Sequence, residues 1–197
     1  MVFTVPPWLA FTDSGPHLDR TRMLPMCKIS ERPSGMSQRV PSESGIRAML
    51  DMLARRMALV EIFGDEEVPK MLVEASGGYP RDLLRLVREV LLAVMDTAKL
   101  PVDKDIQKTK ATRAIAELRQ QYSHALNKED LPLLKTIAAT NSSVGLGRDE
   151  KQRIAELFEH HFVLSYANGD RWLDLHPLVM SIREVEEYIA SADKHRD

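Results

Sequence analysis

A chain of 197 residues with 44% hydrophobic content is long enough to bury one generous core or two small ones, so two compact units are the starting expectation. Its 27 Lys and Arg against 29 Asp and Glu leave it nearly neutral, without the positive field that sequence-independent binding to phosphate backbones requires. The single cysteine, Cys27, excludes an internal disulfide and a cysteine zinc cluster, and it fits a reducing, cytoplasmic setting.

Met1 to Phe11 is apolar but lacks a basic leader and is interrupted by Pro6 and Pro7, which speaks against a signal peptide. Apolar runs stay far below the ~20 residues of a bilayer-spanning helix, so no membrane partner is expected. Val2 to Val5 and Met23 to Ile29 read as two short strands, and Ser30 to Ser44 reads as a linker. Two lone strands leave backbone groups unpaired and need a covering partner, which points to association, including pairing between two copies of the chain.

Ile46, Met49, Leu50, Leu53, Met57 and Val60 line one face of a helix that Phe63-Gly64-Asp65 ends. Val68, Met71, Leu72 and Ala75 give a second helix, stopped by Gly77-Gly78. A third opens at Pro80 and runs to about Ala98 with Leu83, Leu84, Val87, Leu91, Val94 and Met95 inward. Beyond Leu100-Pro101, a helix over Asp105 to Leu126 turns Ile106, Ala111, Ala114, Ile115, Leu118, Tyr122 and Ala125 to one face. Asn127 caps the next, with Leu131, Leu134, Ile137 and Ala138, and Arg148 to His160 forms another. The period then changes to two. Phe162 to Tyr166 and Arg171 to Leu175 flank Asn168-Gly169, a strong hairpin signal, and a last helix carries Leu178, Ile182, Val185 and Ile189 inward.

The segment Ser76-Gly77-Gly78-Tyr79-Pro80-Arg81-Asp82-Leu83-Leu84-Arg85 brings Arg81 to the first turn of a helix, where its guanidinium and free N–H groups can converge on an anion. The competing reading pairs Arg81 with Asp82 or Glu74. His160-His161 reads as capping and partial burial, and His176 before Pro177 as a hydrogen-bonding turn residue. The ten methionines read as core filling.

This segment resembles the sensor-2 element of AAA-type P-loop ATPases, in which an arginine at the start of a lid helix addresses the ATP γ-phosphate. Leu164 to Val179 resembles the wing and exit of the winged-helix domains attached to such ATPases. Val2-Phe3-Thr4-Val5 looks like the sensor-1 strand, with Thr4 the matching polar residue, and His17 to Arg22 resembles the place of an arginine finger, with Arg20 or Arg22 as candidates. The resemblance covers nearly the whole chain. It implies a mainly α architecture: residues 1–43 as a two-strand remnant of an α/β ATPase core and a linker, 44–99 as a three-helix lid bundle, and 103–197 as a winged helix with a C-terminal β-hairpin and helix.

The family pattern is incomplete, because no G-x-x-x-x-G-K-[ST] loop and no strand ending in paired acids occurs. ATP or ADP with magnesium is therefore expected only in a complete ATPase, and neither cofactor nor catalysis is expected of the chain by itself. The implied partner is a P-loop ATPase core or another protein. DNA is disfavoured, since residues 105–176 hold ten basic and ten acidic residues and Arg148 to His160 holds three against four. The partner-contact candidates are Arg148, Lys151, Arg171 and Trp172, although a hairpin Trp more often packs across strands. The alternative is a stand-alone winged-helix DNA-binding regulator.

Overall fold

The computed structural model describes residues 24–35, 38–95 and 103–191. These are mainly helical, with a small two-stranded antiparallel sheet. Helix α1 (Glu43–Ala54) buries Ile46, Met49, Leu50 and Leu53, as their spacing predicts. It does not continue to Val60. The chain leaves the helix at Arg55 and restarts as α2 (Leu59–Phe63), which buries Leu59 and Phe63 and leaves Val60 66% exposed. The break changes the register of the stripe, so the last predicted position faces outward.

Helix α3 (Glu67–Ala75) buries Val68, Leu72 and Val73 and ends before Gly77 and Gly78, both in the left-handed region at φ +63° and +73°. Helix α4 (Pro80–Met95) follows with proline as its first residue. Its buried face holds Asp82, Leu83, Leu86, Val87 and Val90; Leu84 and Leu91, predicted inward, are only partly buried.

Helix α5 (Lys104–Ala125) is capped by the Asp103 carboxylate, which accepts the N–H groups of Asp105 at 2.9 Å and Ile106 at 3.3 Å. The predicted inward residue Ile106 is 42% exposed, and Gln107 is buried instead. The reason is polar: Gln107 Nε2 lies 3.5 Å from the Ile62 carbonyl at the end of α2, so this end of α5 meets orphan carbonyls as well as side chains. A 3-10 turn at Lys128–Asp130, in which Asp130 accepts the Asn127 N–H at 3.0 Å, leads into α6 (Leu131–Thr140). Asn141 ends α6 at φ +53°, donates from Nδ2 to the Leu173 carbonyl and accepts the Leu173 N–H.

After α7 (Arg148–Glu159), β1 (Val163–Asn168) and β2 (Asp170–Leu175) pair in the register Val163↔Leu175 to Asn168↔Asp170. Only Gly169, at φ +82°, lies between the paired residues, a tighter reversal than the four-residue connection predicted. The last predicted helix is two: α8 (Pro177–Met180) and α9 (Arg183–Ala190). The break at Ser181 still leaves Leu178, Ile182 and Val185 buried.

The strand predicted over Met23 to Ile29 is replaced, within 24–29, by an extended segment with no β-ladder; Val2 to Val5 lie outside the described residues. Its N–H groups donate to two different places, Met26 to the Ser165 carbonyl at 2.8 Å and Cys27 to the Gly78 carbonyl at 3.1 Å. Two glycines permit this approach. A Cβ on Gly45 would fall 1.6 Å from the Lys28 carbonyl oxygen, and one on Gly78 would fall 1.9 Å from that of Cys27.

The predicted linker is closed at its base, where Glu31 N–H donates to Val40 and Ser42 N–H to Ile29. Arg39 then grips Asp174 on β2 with Nε–Oδ2 3.0 Å and Nη2–Oδ1 2.6 Å, a bidentate pair in which the carboxylate side chain is only 6% exposed. Arg39→Ala strands that carboxylate and is expected to cost about 2 kcal/mol in urea denaturation. An unchanged midpoint would show that Asp174 needs no partner.

Buried apolar side chains from Ile29 to Val185 form one continuous cluster that includes residues of α1 to α9. No helix among the described residues is long and apolar enough to cross a membrane.

Candidate functional site

The turn Gly77–Tyr79 and the first residues of α4 form the candidate site. Arg81 is the second residue of α4, is exposed, and makes no ion pair among the described residues. The competing partner Asp82 points the other way. It stands at the head of the inward stripe Asp82, Leu86 and Val90, with side-chain exposure of 7%. Tyr122 of α5 donates its hydroxyl to Asp82 Oδ2 at 2.6 Å, and His176 Nε2 lies 3.2 Å from the same oxygen.

His176 is wholly buried at the cap of α8, where Nδ1 accepts the Leu178 N–H at 3.2 Å. That bond makes it the hydrogen-bonding turn residue expected from its place before Pro177, and it puts the imidazole proton on Nε2, facing Asp82. The Nε2 contact is within ion-pair range but misaligned as a hydrogen bond. The rings of Tyr122 and His176 stack at 4.8 Å. Burial raises the proton affinity of Asp82, but the imidazole of His176 and the hydroxyl of Tyr122 outweigh it and hold the carboxyl below its ordinary range. The same carboxylate, after burial, pushes the Tyr122 phenol well above its usual range, so Tyr122 remains a donor.

A second contact flanks Arg81. Tyr79 Oη lies 2.9 Å from His161 Nε2, with ring centroids 4.6 Å apart. His161 follows the α7 cap residue in the left-handed conformation, φ +57°, which aims its partly buried ring back at the turn. Burial lowers its proton affinity, the Asp82 carboxylate opposes this, and the Arg81 charge reinforces it. On the other side of the turn, Tyr166 of β1 donates to the Gly77 carbonyl at 2.6 Å. The segment Gly77–Asp82 is thus held by Tyr122, His161, Tyr166 and His176 together.

Sequence reading singled out Arg81 as a candidate and missed the contacts of its neighbour Asp82. Tyr122 was legible only as an inward helical position, and nothing local in the sequence pairs it with Asp82, 40 residues away. Thr4, Arg20 and Arg22 lie outside the described residues. Arg148 opens α7, while Lys151 of α7 and Arg171 of β2 are exposed; neither Lys151 nor Arg171 is bonded to Arg81.

Trp172 requires correction as a contact residue. It is 2% exposed and stacks on its cross-strand partner Tyr166 at 4.5 Å and 23°, with Leu164, Met26 and Tyr79 around the pair. On α7, Arg153 is committed to Asp130 at 2.7 Å and Glu156 at 2.9 Å. No group of three His, Cys, Asp or Glu side chains among the described residues is arranged to hold a metal ion. Comparison with protein-family models, curated proteins and solved structures yields no match to the chain.

Proposed function

We propose that the chain is the lid and winged-helix portion of an AAA-type ATPase, a module that senses nucleotide held elsewhere and engages a protein partner. In this reading α1 to α4 form the lid, and α5 to α7 with the β1–β2 hairpin form the winged helix. The observation that carries it is Arg81: an exposed guanidinium without an ion pair among the described residues, in the first turn of α4, whose neighbouring carboxylate is turned inward to Tyr122 and His176. A cation left unneutralised beside the positive end of a helix favours a phosphate.

The residues present fit the terminal phosphate end and not a whole nucleotide. The sequence supplies no phosphate loop, and the described residues offer no magnesium ligand set. ATP or ADP with magnesium is accordingly assigned to a phosphate loop on another segment or chain, and the module has no catalytic activity of its own. Protein rather than DNA is favoured as partner of the winged helix, because Arg153 on α7 is spent on Asp130 and Glu156.

Calorimetric titration with tripolyphosphate at low salt is expected to show binding that Arg81→Ala weakens about tenfold, the size of one charge-assisted hydrogen bond. Equal affinity in the two proteins would sink the reading. Salt-sensitive duplex binding lost on Lys151→Ala or Arg171→Ala would replace it with a DNA-binding regulator.

A further inference from the structure

We propose that Asp82, clamped by Tyr122 and His176, is the positioning residue of the Arg81 anion site and links occupancy of that site to the packing of the C-terminal segment. The inference rests on the reading of Arg81 given above. A solvent-exposed arginine loses rotamer freedom when it is fixed, so an arginine on a loosely held helix start makes a poor anion site. Here the helix start is fixed from one residue further on. Successive residues project about 100° apart around a helix, so anchoring the Asp82 side chain beneath α4 turns Arg81 away from the cluster and toward solvent. Rotating that first turn would pull Oδ2 from the Tyr122 hydroxyl, 2.6 Å away, into apolar surroundings.

The anchors belong to the C-terminal half of the chain. Tyr122 comes from α5, His176 from the cap of α8, His161 from the residue after the α7 cap and Tyr166 from β1. Burial first, and then the Arg81 cation, disfavour a proton on His161, and an anion at Arg81 offsets the second of these. Its binding is therefore felt at His161, whose ring meets Tyr79 at the turn. By reciprocity, a partner that shifts α5 or α8 changes anion affinity by the same factor as the anion changes partner affinity.

The test uses the full chain. Tripolyphosphate affinity is measured for wild type, Tyr122→Phe, His176→Gln, Arg81→Ala and the exposed control Arg183→Ala, with melting curves for each. Tyr122→Phe and His176→Gln are each expected to weaken binding about fivefold or more while still melting cooperatively, with the control near wild type. If Arg81→Ala loses binding and both clamp variants retain it, the positioning role is overturned and the Arg81 site stands. If Arg81→Ala binds like wild type, the site itself fails and the inference with it. If the clamp variants do not fold, wild-type nitrogen NMR decides. The His161 imidazole signals are expected to shift with the same saturation constant as Arg81 Nε, and an imidazole that stays fixed through saturation overturns the proposal.

Discussion

Gly78→Ala is expected to lower the stability of this protein by about 3 kcal/mol or more. Two costs combine. At φ +73° an L residue is strained by roughly 1–2 kcal/mol. The new Cβ also falls 1.9 Å from the Cys27 carbonyl oxygen, a backbone atom that cannot rotate aside as a side-chain tip would. Relief requires moving residues 26–28, which breaks the Cys27 N–H bond to Gly78 and threatens that of Met26 to Ser165. Gly145→Ala separates the two costs, because Gly145 has φ +88° but nothing within 4 Å of its virtual Cβ. Urea unfolding is expected to show about 1 kcal/mol for Gly145→Ala, the conformational part alone. Equal losses in the two variants would mean that the extended segment does not lie against the turn.

Asp82→Ala is the second large effect, expected to cost about 3 kcal/mol. It removes the acceptor of a buried phenol and the counter-group of a fully buried imidazole, and neither donor has water to turn to. Asp82→Asn keeps the volume and an acceptor oxygen and is expected to lose less. The pH dependence has a definite sign. The folded state holds the Asp82 carboxyl below its ordinary range, so the native protein releases this proton more readily than the unfolded chain does. Its contribution is complete above the unfolded value near ~4 and disappears as pH falls through the lower folded value. Denaturation midpoints measured from pH 6 to pH 2 are expected to fall less steeply at the acid end in Asp82→Asn than in wild type. Identical acid limbs would contradict the carboxylate's role.

Much of the helical order was legible because it is written in local chemistry. Gly77 and Gly78 stop α3, Pro80 starts α4, and Asn168-Gly169 reverses the hairpin, all within a few residues of the features they control. The stripe from Ile46 to Leu53 was equally readable. What failed was continuation. Periodicity alone carried the first helix on to Val60 and the last through Ser181, because an apolar residue at the right spacing looks the same whether the backbone has broken or not. Ile106 was misplaced because the stripe rule has no way to expect that Gln107 meets a carbonyl at the end of α2.

The site divided along the same line. Arg81 follows from its own neighbours, whereas the fate of Asp82 depends on Tyr122 and His176, and that of the supposed linker on Arg39 reaching Asp174 across 135 residues. Trp172 was ambiguous in sequence, since a hairpin tryptophan serves either a surface or a cross-strand stack, and Tyr166 opposite it decides for the stack. Spacing reveals which face a residue takes; it does not reveal which distant group meets it there.

The central claim, that Arg81 is held free to meet a phosphate while its neighbour anchors the helix, is tested most directly by following the arginine Nε–H signals of the full chain by NMR during a tripolyphosphate titration at low salt. A single saturable shift at Arg81, with paired arginines such as Arg39 and Arg153 unmoved, is the predicted result. Small linear shifts spread over all exposed arginines, with none that saturates at Arg81, would contradict it.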